Sequence, residues 1–382
     1  MLAAMAKSES ASKRAAKAGT LETLAARSGI SAATLSRALN HPQQVRAPLR
    51  ARAERVLRDA GYVAHGAARS LASKRSRTMG AIVPTIDSSL FAGIVEGLQQ
   101  AIHVGGYQLL LASSRYDLEQ ESADVRALLE RGIDGLMLIG SLHAPETLSM
   151  LLGRGVPFVT TCHHDATAAW PTIGWDNERE SERIADYLLD IGHRRFGIIA
   201  GIGAGNDRAA DRLTGFRRAL AERNVRLPDA AVLERAYSVP AARQAMAVLL
   251  RLPQRPSAVL CGNDILAYGA LQECLWQELR VPQDISISGF DNIEMAAHCR
   301  PGITTVDVPA AEIGAIAGST LMQAQQGGAS APPAHTFVEL ELIVRGSTAP
   351  PPMASLGAAK GGRGAASSRR LAQAPSPASR PR

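Results

Sequence analysis

The chain has 382 residues, of which 46% are hydrophobic and 20% are charged, so it is too long for one hydrophobic core and has the composition of a globular protein. Its longest apolar runs are far too short to span a bilayer, and its N-terminus lacks the apolar segment of a secretion signal, so neither a membrane protein nor an exported protein is expected. The four cysteines are widely separated and lack Cys-x-x-Cys spacing, which argues against a zinc site or a disulfide framework and favours a reducing cytoplasm.

Positive charge is concentrated at the two ends of the chain. The first 77 residues carry a formal net charge of +11 and the last 36 carry +6, so the residues between them carry −10 of the total of +7. A basic head on an acidic body is typical of a protein that binds a polyanion with one domain and a different partner with another.

The two ends also have compositions that do not support a packed core. Residues 1–19 are rich in Ala, Lys and Ser and show no apolar periodicity. Residues 347–382 are rich in Pro, Ala, Gly, Ser and Arg and contain no leucine heptads. Because such segments bury too little apolar surface to offset the entropy of ordering, we predict a disordered basic N-terminus and a disordered basic tail without a coiled coil.

Residues 20–75 have the pattern of short amphipathic helices joined by tight turns, the third of them from about Pro48 to Ala60. Thr20 and Ser31 are placed to cap the first two helices, and Gly29 is placed to end the first with a positive φ. The residues predicted to face inward are Leu21, Leu24 and Ala25 in the first helix, Leu35 and Leu39 in the second, and Leu49, Ala53, Val56 and Leu57 in the third. This pattern favours a helix-turn-helix whose second helix enters the DNA major groove, although similar helical hairpins occur in proteins that do not bind DNA.

Residues 78–346 alternate apolar strands with helices. The predicted strands are MGAIVP, YQLLLAS, GLMLIG, PFVTT, FGIIAG, AVLCGN and ISISGF, and one helix is predicted from Phe91 to His103. Near-continuous apolar strands of this kind indicate parallel sheets covered by helices on both faces. We therefore predict an α/β fold, and about 270 residues of this pattern favour two lobes rather than one.

A collinear set of short motifs connects the head with the body. The motifs are Thr20-Leu21, Gly29-Ile30-Ser31, Ser36-Arg37, Asn40, Ala68-Arg69-Ser70-Leu71, Ile82-Val83-Pro84, Gly132-Ile133-Asp134-Gly135, Arg212 with Gly215-Phe216, Asn263-Asp264 and Gly289-Phe290-Asp291. On these residues the sequence resembles the lactose-repressor (LacI/GalR) family of bacterial transcription regulators over about residues 20–345. The resemblance implies a helix-turn-helix head joined by a hinge helix to a two-lobed domain similar to periplasmic binding proteins, with parallel sheets.

Composition, the strand–helix pattern and, for the hinge, the resemblance together give the domain boundaries that we expect. The predicted domains are a disordered N-terminus (1–19), a helix-turn-helix domain (20–64), a hinge helix with its linker (65–77), a two-lobed ligand-binding and dimerisation domain (78–346) and a disordered tail (347–382).

The resemblance implies a set of DNA contacts on the head and the hinge. Ala32, Ala33 and Arg37 correspond to base-reading positions, and Arg37 can donate two hydrogen bonds to a guanine edge. The remaining predicted DNA contacts are Thr20, Ser31, Thr34, Ser36 and Asn40 on the head, and Arg69 and Leu71 in the hinge. Leu71 matches a leucine wedge that enters the minor groove, and a routine apolar anchor in a linker is the alternative for it.

The resemblance places a ligand site between the two lobes, at the carboxyl ends of the strands. The predicted ligand contacts are Phe91, Ser141, His163, Arg208, Arg212, Tyr237, Asn263, Asp264 and Asp291, and further candidates are Asp87, Ser89 and Asn206. Asp291 and Arg212 match the most regular ligand contacts of the family. Cys162 stands where many members of the family have Asp, which leaves the identity of the ligand open.

Several of these residues have a plainer interpretation. Asn263-Asp264 is also the pattern of a helix N-cap followed by a first-turn acid, and Arg212 could be a structural ion-pair partner. His163-His164-Asp165 resembles a metal cluster but lacks a partner at helical spacing, so we predict no metal site. The glycines of residues 201–205 resemble a phosphate-binding loop but lack its full spacing, so we expect no nucleotide cofactor.

Three classes of function compete. A transport-type binding protein would share the cleft, but it needs a secretion signal and has no use for a DNA-binding head. An enzyme would need a nucleophile–base set or a complete nucleotide loop, and no Gly-x-Ser-x-Gly, His-Glu-x-x-His or Walker A motif occurs. We therefore predict a cytoplasmic, non-enzymatic repressor without a cofactor that acts as a homodimer on a near-palindromic DNA operator. Its operator affinity is predicted to be set by a small, carbohydrate-like effector, and the effector's identity and the direction of its effect stay open.

Overall fold

The computed structural model describes residues 20–63, 75–327 and 334–352. The chain divides into two compact units, residues 1–76 and 77–382, whose described parts we call the head and the body. The predicted N-terminal segment, most of the predicted hinge with Arg69 and Leu71, and residues 353–382 of the predicted tail lie outside the described residues. None of the described helices is long and apolar enough to cross a membrane.

The head consists of three α-helices around a small apolar core. They are α1 (Leu21–Ser28), α2 (Ala32–Asn40) and α3 (Ala47–Asp59), with a 3-10 turn at Pro42–Gln44. The predicted caps are confirmed: the side chain of Thr20 accepts from the Thr23 amide at 3.2 Å, and that of Ser31 accepts from the Thr34 amide at 3.1 Å. Gly29 ends α1 with φ 69°, as predicted. The buried core consists of Leu24, Ile30, Leu35, Ala38, Val45, Ala53 and Leu57.

Two of the leucines predicted to face inward are exposed instead. Leu39 is 36% exposed and Leu49 is 39% exposed, so these two predictions were wrong. The inward face of α2 is completed by Ala38, three residues after Leu35, rather than by the residue at the fourth position. In a core this small, Ala38 and the loop residue Val45 fill the space that a larger side chain would have needed.

The body has twelve strands and nine α-helices within its described residues. The strands are β1 (Thr78–Val83), β2 (Gln108–Ser113), β3 (Gly135–Ile139), β4 (Phe158–Thr161), β5 (Thr172–Gly174), β6 (Phe196–Gly201), β7 (Val232–Arg235), β8 (Ala258–Cys261), β9 (Ser286–Ser288), β10 (Thr305–Asp307), β11 (Thr336–Phe337) and β12 (Glu341–Ile343). The helices are α4 (Ser89–Val104), α5 (Leu118–Glu130), α6 (Pro145–Arg154), α7 (Asn177–Asp190), α8 (Asp207–Glu222), α9 (Val239–Leu250), α10 (Asp264–Trp276), α11 (Glu294–His298) and α12 (Ala310–Gln326).

These elements form two α/β lobes, as the sequence predicts. The first lobe is a six-stranded parallel sheet in the order β11-β5-β4-β3-β1-β2, covered by α4, α5, α6 and α12. The second lobe is a four-stranded parallel sheet in the order β7-β6-β8-β9, covered by α7 to α11. A short antiparallel pair, β10 with β12, is the exception to the predicted parallel pattern.

The boundary predicted for the C-terminal tail was wrong at its start. Ser347 and Thr348 are buried, and the Ser347 hydroxyl donates to the carbonyl of Ile287 at 2.6 Å. The carbonyl of Ala349 accepts from His193 Nε2 at 2.9 Å. These residues are held by hydrogen bonds rather than by apolar burial, so composition alone does not distinguish them from the segment that follows.

The packing of α4 on α12 depends on glycines that let the two helices approach closely. A Cβ added at Gly314 would lie 1.9 Å from the carbonyl oxygen of Ile94, so the backbone itself would have to move. Gly153, in contrast, lies on α6 with nothing within 4 Å of where its Cβ would be.

We expect Gly314→Ala to lower the free energy of unfolding by about 1–3 kcal/mol, because the added methyl group meets a backbone carbonyl that cannot rotate away. The matched control, Gly153→Ala, is expected to stabilise the protein by about 0.5–1 kcal/mol through backbone entropy. Urea unfolding followed by circular dichroism measures both changes. Equal effects of the two substitutions would contradict the close approach of α4 and α12 at Gly314.

Candidate functional site

The outward surface of α2 carries most of the predicted DNA contacts. Ala33, Arg37 and Asn40 are exposed and follow helical spacing on one face. Thr20 and Ser31 are exposed at the helix caps, and Ala32, Thr34 and Ser36 are half-buried. Within the described residues the guanidinium of Arg37 makes no hydrogen bond, so all its donors are available to an external acceptor.

One head arginine has a structural role that its charge alone does not indicate. Arg52 Nη2 donates to the carbonyl of Ser28 at 2.9 Å, which fixes α3 against the end of α1. The excess of arginines in the head therefore includes at least one that supports the orientation of the helix-turn-helix.

The body contains a cleft of about 780 Å³ between the two lobes, at the carboxyl ends of their parallel strands. Six of the nine predicted ligand contacts line it: Phe91, Arg208, Arg212, Tyr237, Asn263 and Asp291. The further candidates Asp87, Ser89 and Asn206 line it as well. Strand ends from both sheets meet here because parallel strands end at a common edge.

Arg212 and Asp291 form a buried pair in the wall of the cleft. Arg212 Nη1 lies 3.4 Å from Asp291 Oδ1 and donates to the carbonyl of Gly262 at 2.8 Å. Its Nε donates to Asn177 Oδ1 at 3.0 Å, and its guanidinium lies 3.6 Å from the centroid of the Phe290 ring. Burial raises the pKa of Asp291 to about 6, with the charge of Arg212 opposing that rise. The pair is fixed by the protein, so Arg212 is both a structural ion-pair partner and a residue of the cleft.

A second arginine, Arg208, lies beside a contact between the lobes. Its Nη1 donates to Asp207 Oδ1 at 2.6 Å, and the other oxygen of Asp207 accepts from the Ser141 hydroxyl at 2.7 Å and from the Leu142 amide at 3.3 Å. Burial raises the pKa of Asp207, but Arg208 and the Ser141 hydrogen bonds outweigh burial and hold that pKa at about 2. We call the contact of Asp207 with Ser141 and Leu142 the interlobe latch, because it joins α8 of the second lobe to the loop after β3 of the first.

Three predicted ligand contacts do not line the cleft. Ser141 belongs to the interlobe latch. His163 is buried and shares a hydrogen bond with the Thr160 hydroxyl at 2.8 Å, and burial lowers its pKa to about 4. Asp264 lies behind the wall of the cleft, where it accepts from the Ile293 amide at 2.9 Å. Each follows a strand end, as predicted, but its side chain satisfies protein groups rather than facing the cavity.

Asn263 caps α10 and also lines the cleft. Its Oδ1 accepts from the Leu266 amide at 3.0 Å, so the helix-cap interpretation is confirmed. The same side chain is placed at the cavity surface.

Sequence reasoning missed two aromatic residues of the cleft, Tyr116 and Trp175. Tyr116 follows β2, and its ring centroid lies 6.1 Å from that of Tyr237, whose hydroxyl accepts from Asn206 Nδ2 at 3.3 Å. Trp175 stacks on Phe290 at 6.4 Å. The strand-end rule that identified the other contacts also applies to the residues after β2, so Tyr116 was within reach of the sequence.

The glycine-rich segment after β6 has no free phosphate-binding amide at its centre. The amide of Gly203 donates to Glu234 Oε2 at 2.9 Å, so a carboxylate occupies the position where a phosphate would bind. Among the described residues, no three His, Cys, Asp or Glu side chains are grouped so that they could hold a metal ion.

Comparison with known proteins identifies the family. The chain is 33% identical over 337 residues to the HTH-type transcriptional repressor CytR of Escherichia coli strain K12, and the match covers 88% of this chain and 98% of CytR. The chain belongs to the lactose-repressor (LacI/GalR) family. A family model of periplasmic binding protein-like domains matches residues 185–348. This LacI-family member is therefore a DNA-binding transcription regulator that responds to a ligand, as the sequence predicts.

Solved structures of related regulators have the same fold. A LacI-family transcriptional regulator from Silicibacter pomeroyi has a TM-score of 0.79 at 24% identity, covering 86% of this chain and 98% of that one. The transcriptional regulator CelR in complex with cellobiose has a TM-score of 0.63 at 27% identity, covering 86% of this chain and 99% of that one.

Asp264 lies behind the cleft of this LacI-family regulator, and its raised pKa makes the stability of the fold depend on pH. Burial, followed by the charge of Asp291, raises the pKa of Asp264 to about 8 from an ordinary value of 3.8. Between these values the folded protein keeps a proton that the unfolded chain releases, so stability falls as the pH rises through this window.

We expect Asp264→Asn to remove this loss of stability. The slope of the free energy of unfolding against pH is then expected to be smaller by up to about 1.4 kcal/mol per pH unit. The matched control is Asp284→Asn, because hydrogen bonds from Arg280 hold the pKa of Asp284 at about 2, below the window. Urea unfolding between pH 5 and pH 8 measures the slopes. Parallel curves for the wild type and Asp264→Asn would contradict the prediction.

Proposed function

We propose that this regulator represses transcription as a homodimer on a near-palindromic operator, and that a sugar or sugar-derived effector in the interlobe cleft sets its operator affinity. The observation that carries the effector half is the Arg212–Asp291 pair, which is buried in the cleft wall. A guanidinium and a carboxylate held side by side offer donors and acceptors to neighbouring hydroxyl groups of one ligand. Because the protein already holds both groups in place, little ordering entropy is lost on binding.

Aromatic side chains supply the apolar surfaces that a sugar ring needs. Phe91, Tyr116, Trp175 and Tyr237 line the cleft and can pack against the C–H faces of a ring, while polar groups bind its rim. The cavity of about 780 Å³ lies within the range of about 300–1,000 Å³ that is usual for small-molecule sites. The complex of the relative CelR with cellobiose supports a carbohydrate-like effector here.

We propose further that the cleft binds its effector without converting it and uses no cofactor. Burial raises the pKa of Cys162 to about 11, so its thiol stays protonated near neutral pH and is a poor nucleophile. Asp291 is paired with Arg212 and so serves as a fixed acceptor rather than as a mobile base.

The DNA half of the proposal rests on the surface of α2. The guanidinium of Arg37, which makes no hydrogen bond in the described part of the chain, suits a bidentate contact with guanine. Ala32 and Ala33 suit apolar contact with a thymine methyl. Thr20, Ser31, Thr34, Ser36 and Asn40 are proposed to contact the phosphate backbone and set the register on the operator. We propose that the protein acts in the cytoplasm, where it meets its operator.

We expect Arg37→Ala to weaken binding to the preferred operator by about 1–3 kcal/mol and to relax discrimination at one base pair, because it removes a contact to a base edge. The operator is first selected from a random DNA pool, and affinities are then measured by fluorescence anisotropy. Arg55→Ala, which removes an exposed arginine of α3, is the matched control and is expected to affect operator and random DNA alike. An equal loss on operator and random DNA for Arg37→Ala would make Arg37 a phosphate contact.

The homodimer is proposed from the exposed edge of the first lobe. Strand β2 is the last strand of its sheet, and Leu111 on this strand is 45% exposed. Val104, at the end of α4 just before β2, is 91% exposed. An apolar edge strand on a body with net negative charge suits a second copy of the same surface, since a two-fold interface brings like residues together.

We expect light scattering of the full-length protein at micromolar concentration to give twice the mass of one chain. Leu111→Glu is expected to shift the protein towards monomer, because it places a charge at the centre of the proposed interface. Leu152→Glu is the control, since Leu152 is 58% exposed on α6, a helix that packs on the sheet face opposite α4. A wild-type monomer that binds operator with one head would contradict the proposed dimer.

A further inference from the structure

Arg208 presents an unoccupied pair of donors to the cleft. The residue is only 7% exposed and lines the cavity. Its Nη1 is bonded to Asp207, whereas its Nε and Nη2 have no hydrogen-bond partner within the described residues. Nε–H and the adjacent Nη2–H lie on one edge of the guanidinium and point in the same direction. A buried arginine therefore enters the cleft with one complete edge free.

Among the residues that the structure describes, no carboxylate is hydrogen-bonded to that edge. Both oxygens of Asp207 are already used, one by Arg208 Nη1 and the other by the interlobe latch. After Asp207, the groups that influence Arg208 most are the thiol of Cys162 and the phenols of Tyr116 and Tyr237. Burial raises the pKa of each of these three groups, so all are uncharged near neutral pH. The carboxylate of Asp291 is also within electrostatic reach of Arg208, but it is paired with Arg212.

Arg212 does not present the same opening. Its Nε and Nη1 are bonded to Asn177, Gly262 and Asp291, so it reaches the cleft as part of a neutralised pair. Arg208 and Arg212 thus differ in what they can still bind, and Arg115, the third arginine that lines the cleft, is exposed rather than buried. The hydroxyl groups of an effector suit the Arg212–Asp291 pair, while the free edge of Arg208 suits two acceptors in one plane.

A carboxylate matches that edge best. Two parallel N–H···O bonds between a guanidinium and a carboxylate are the strongest and most directional form of an arginine–carboxylate interaction. In a buried site, water and salt screen such a pair less than they do at the surface. A single hydroxyl group would accept a hydrogen bond from one N–H and leave the other N–H without an acceptor, which costs binding free energy.

We propose that the effector is an acid, a polyhydroxylated molecule with a carboxylate, and that Arg208 is the residue that selects it over neutral sugars. The inference rests on the proposed effector site in the interlobe cleft and names the chemical class of its ligand. The carboxylate lies between Tyr116 and Tyr237 beside Cys162, and the hydroxyl groups extend towards Arg212 and Asp291.

The test uses full-length protein and matched pairs of probes, namely the aldonates of four, five and six carbons and the alditols with the same carbon skeletons. Each pair differs only in a carboxylate against a CH2OH group. Isothermal titration calorimetry is expected to show at least one aldonate binding about 10- to 100-fold more tightly than its alditol, the usual effect of a charge-assisted hydrogen-bonded pair. Neutral sugars and nucleosides titrated in parallel are expected to bind more weakly than that aldonate.

Two variants locate the preference at Arg208. Arg208→Gln is expected to bring the ratio of aldonate affinity to alditol affinity close to one. Cys162→Asp keeps Arg208 but supplies a carboxylate from the chain, and it is expected to abolish aldonate binding as well. Asp291→Asn is the contrast, since it weakens aldonate and alditol by similar factors. Arg37→Ala in the head tests whether the anion binds the outward surface of α2, and loss of aldonate binding in this variant would overturn the assignment to Arg208.

The outcomes separate this inference from the proposed function. A wild-type protein in which no aldonate binds more tightly than its alditol overturns the acid effector, as does an Arg208→Gln variant that keeps the preference. A neutral sugar or nucleoside that binds most tightly and changes operator affinity overturns the acid but leaves the proposed switch intact. An aldonate that binds through Arg208 without changing operator affinity supports the acid and contradicts the switch.

Discussion

The guanidinium of Arg212 ties together the second-lobe side of the cleft, and through Asn177 it is connected to the first lobe, so much of the effector site depends on it. It bonds the carbonyl after β8 and Asp291 after β9 in the second lobe, and it bonds Asn177 at the start of α7. The amide of Asn177 in turn donates to the carbonyl of Cys162 after β4, in the first lobe, at 3.0 Å. A buried guanidinium must satisfy its donors, so the strand ends are held in register around it before any effector binds.

The interlobe latch adds a second contact that is sensitive to what lies in the cleft. Asp207 bridges Arg208, which faces the cavity, and the loop after β3, which belongs to the other lobe. That loop is itself supported by buried His143, whose ring bonds Glu121 at 2.8 Å and the carbonyl of Gly140 at 3.1 Å. A ligand that binds Arg208 acts on the same carboxylate that fastens the lobes. In the proposed switch, differential binding to two lobe arrangements is what couples effector to operator.

The sequence predicted those parts of the fold that depend on long, regular patterns. The apolar strands β1 to β4, β6, β8 and β9 were recognisable with their flanking helices, and so were the caps and the glycine turn of the head. The strands β5, β10, β11 and β12 are two or three residues long, too short for any periodicity to show. The buried segment at Ser347 depends on hydrogen bonds to distant backbone groups, which no local pattern records.

In the cleft, the sequence predicted which residues come together but not where their side chains point. The strand-end rule brought Arg212, Asp291 and Arg208 to one place, but it does not say which way a side chain turns. Asp264 follows a strand end like its neighbours, yet it is drawn behind the wall because the Ile293 amide and the Thr305 hydroxyl need an acceptor there. Whether a side chain faces the cavity or bonds a buried donor depends on the tertiary structure, which no local pattern in the sequence records.

Linkage between the cleft and the operator is the most direct test of ligand control. The dissociation constant of the operator is measured with and without the small molecule that saturates the cleft, and that molecule's dissociation constant is measured with and without operator. If one ligand acts on the other through the lobes, both constants change by the same factor, and a tenfold change corresponds to a coupling of about 1.4 kcal/mol. A molecule that saturates the cleft and leaves operator affinity unchanged would contradict the central claim that the cleft controls DNA binding.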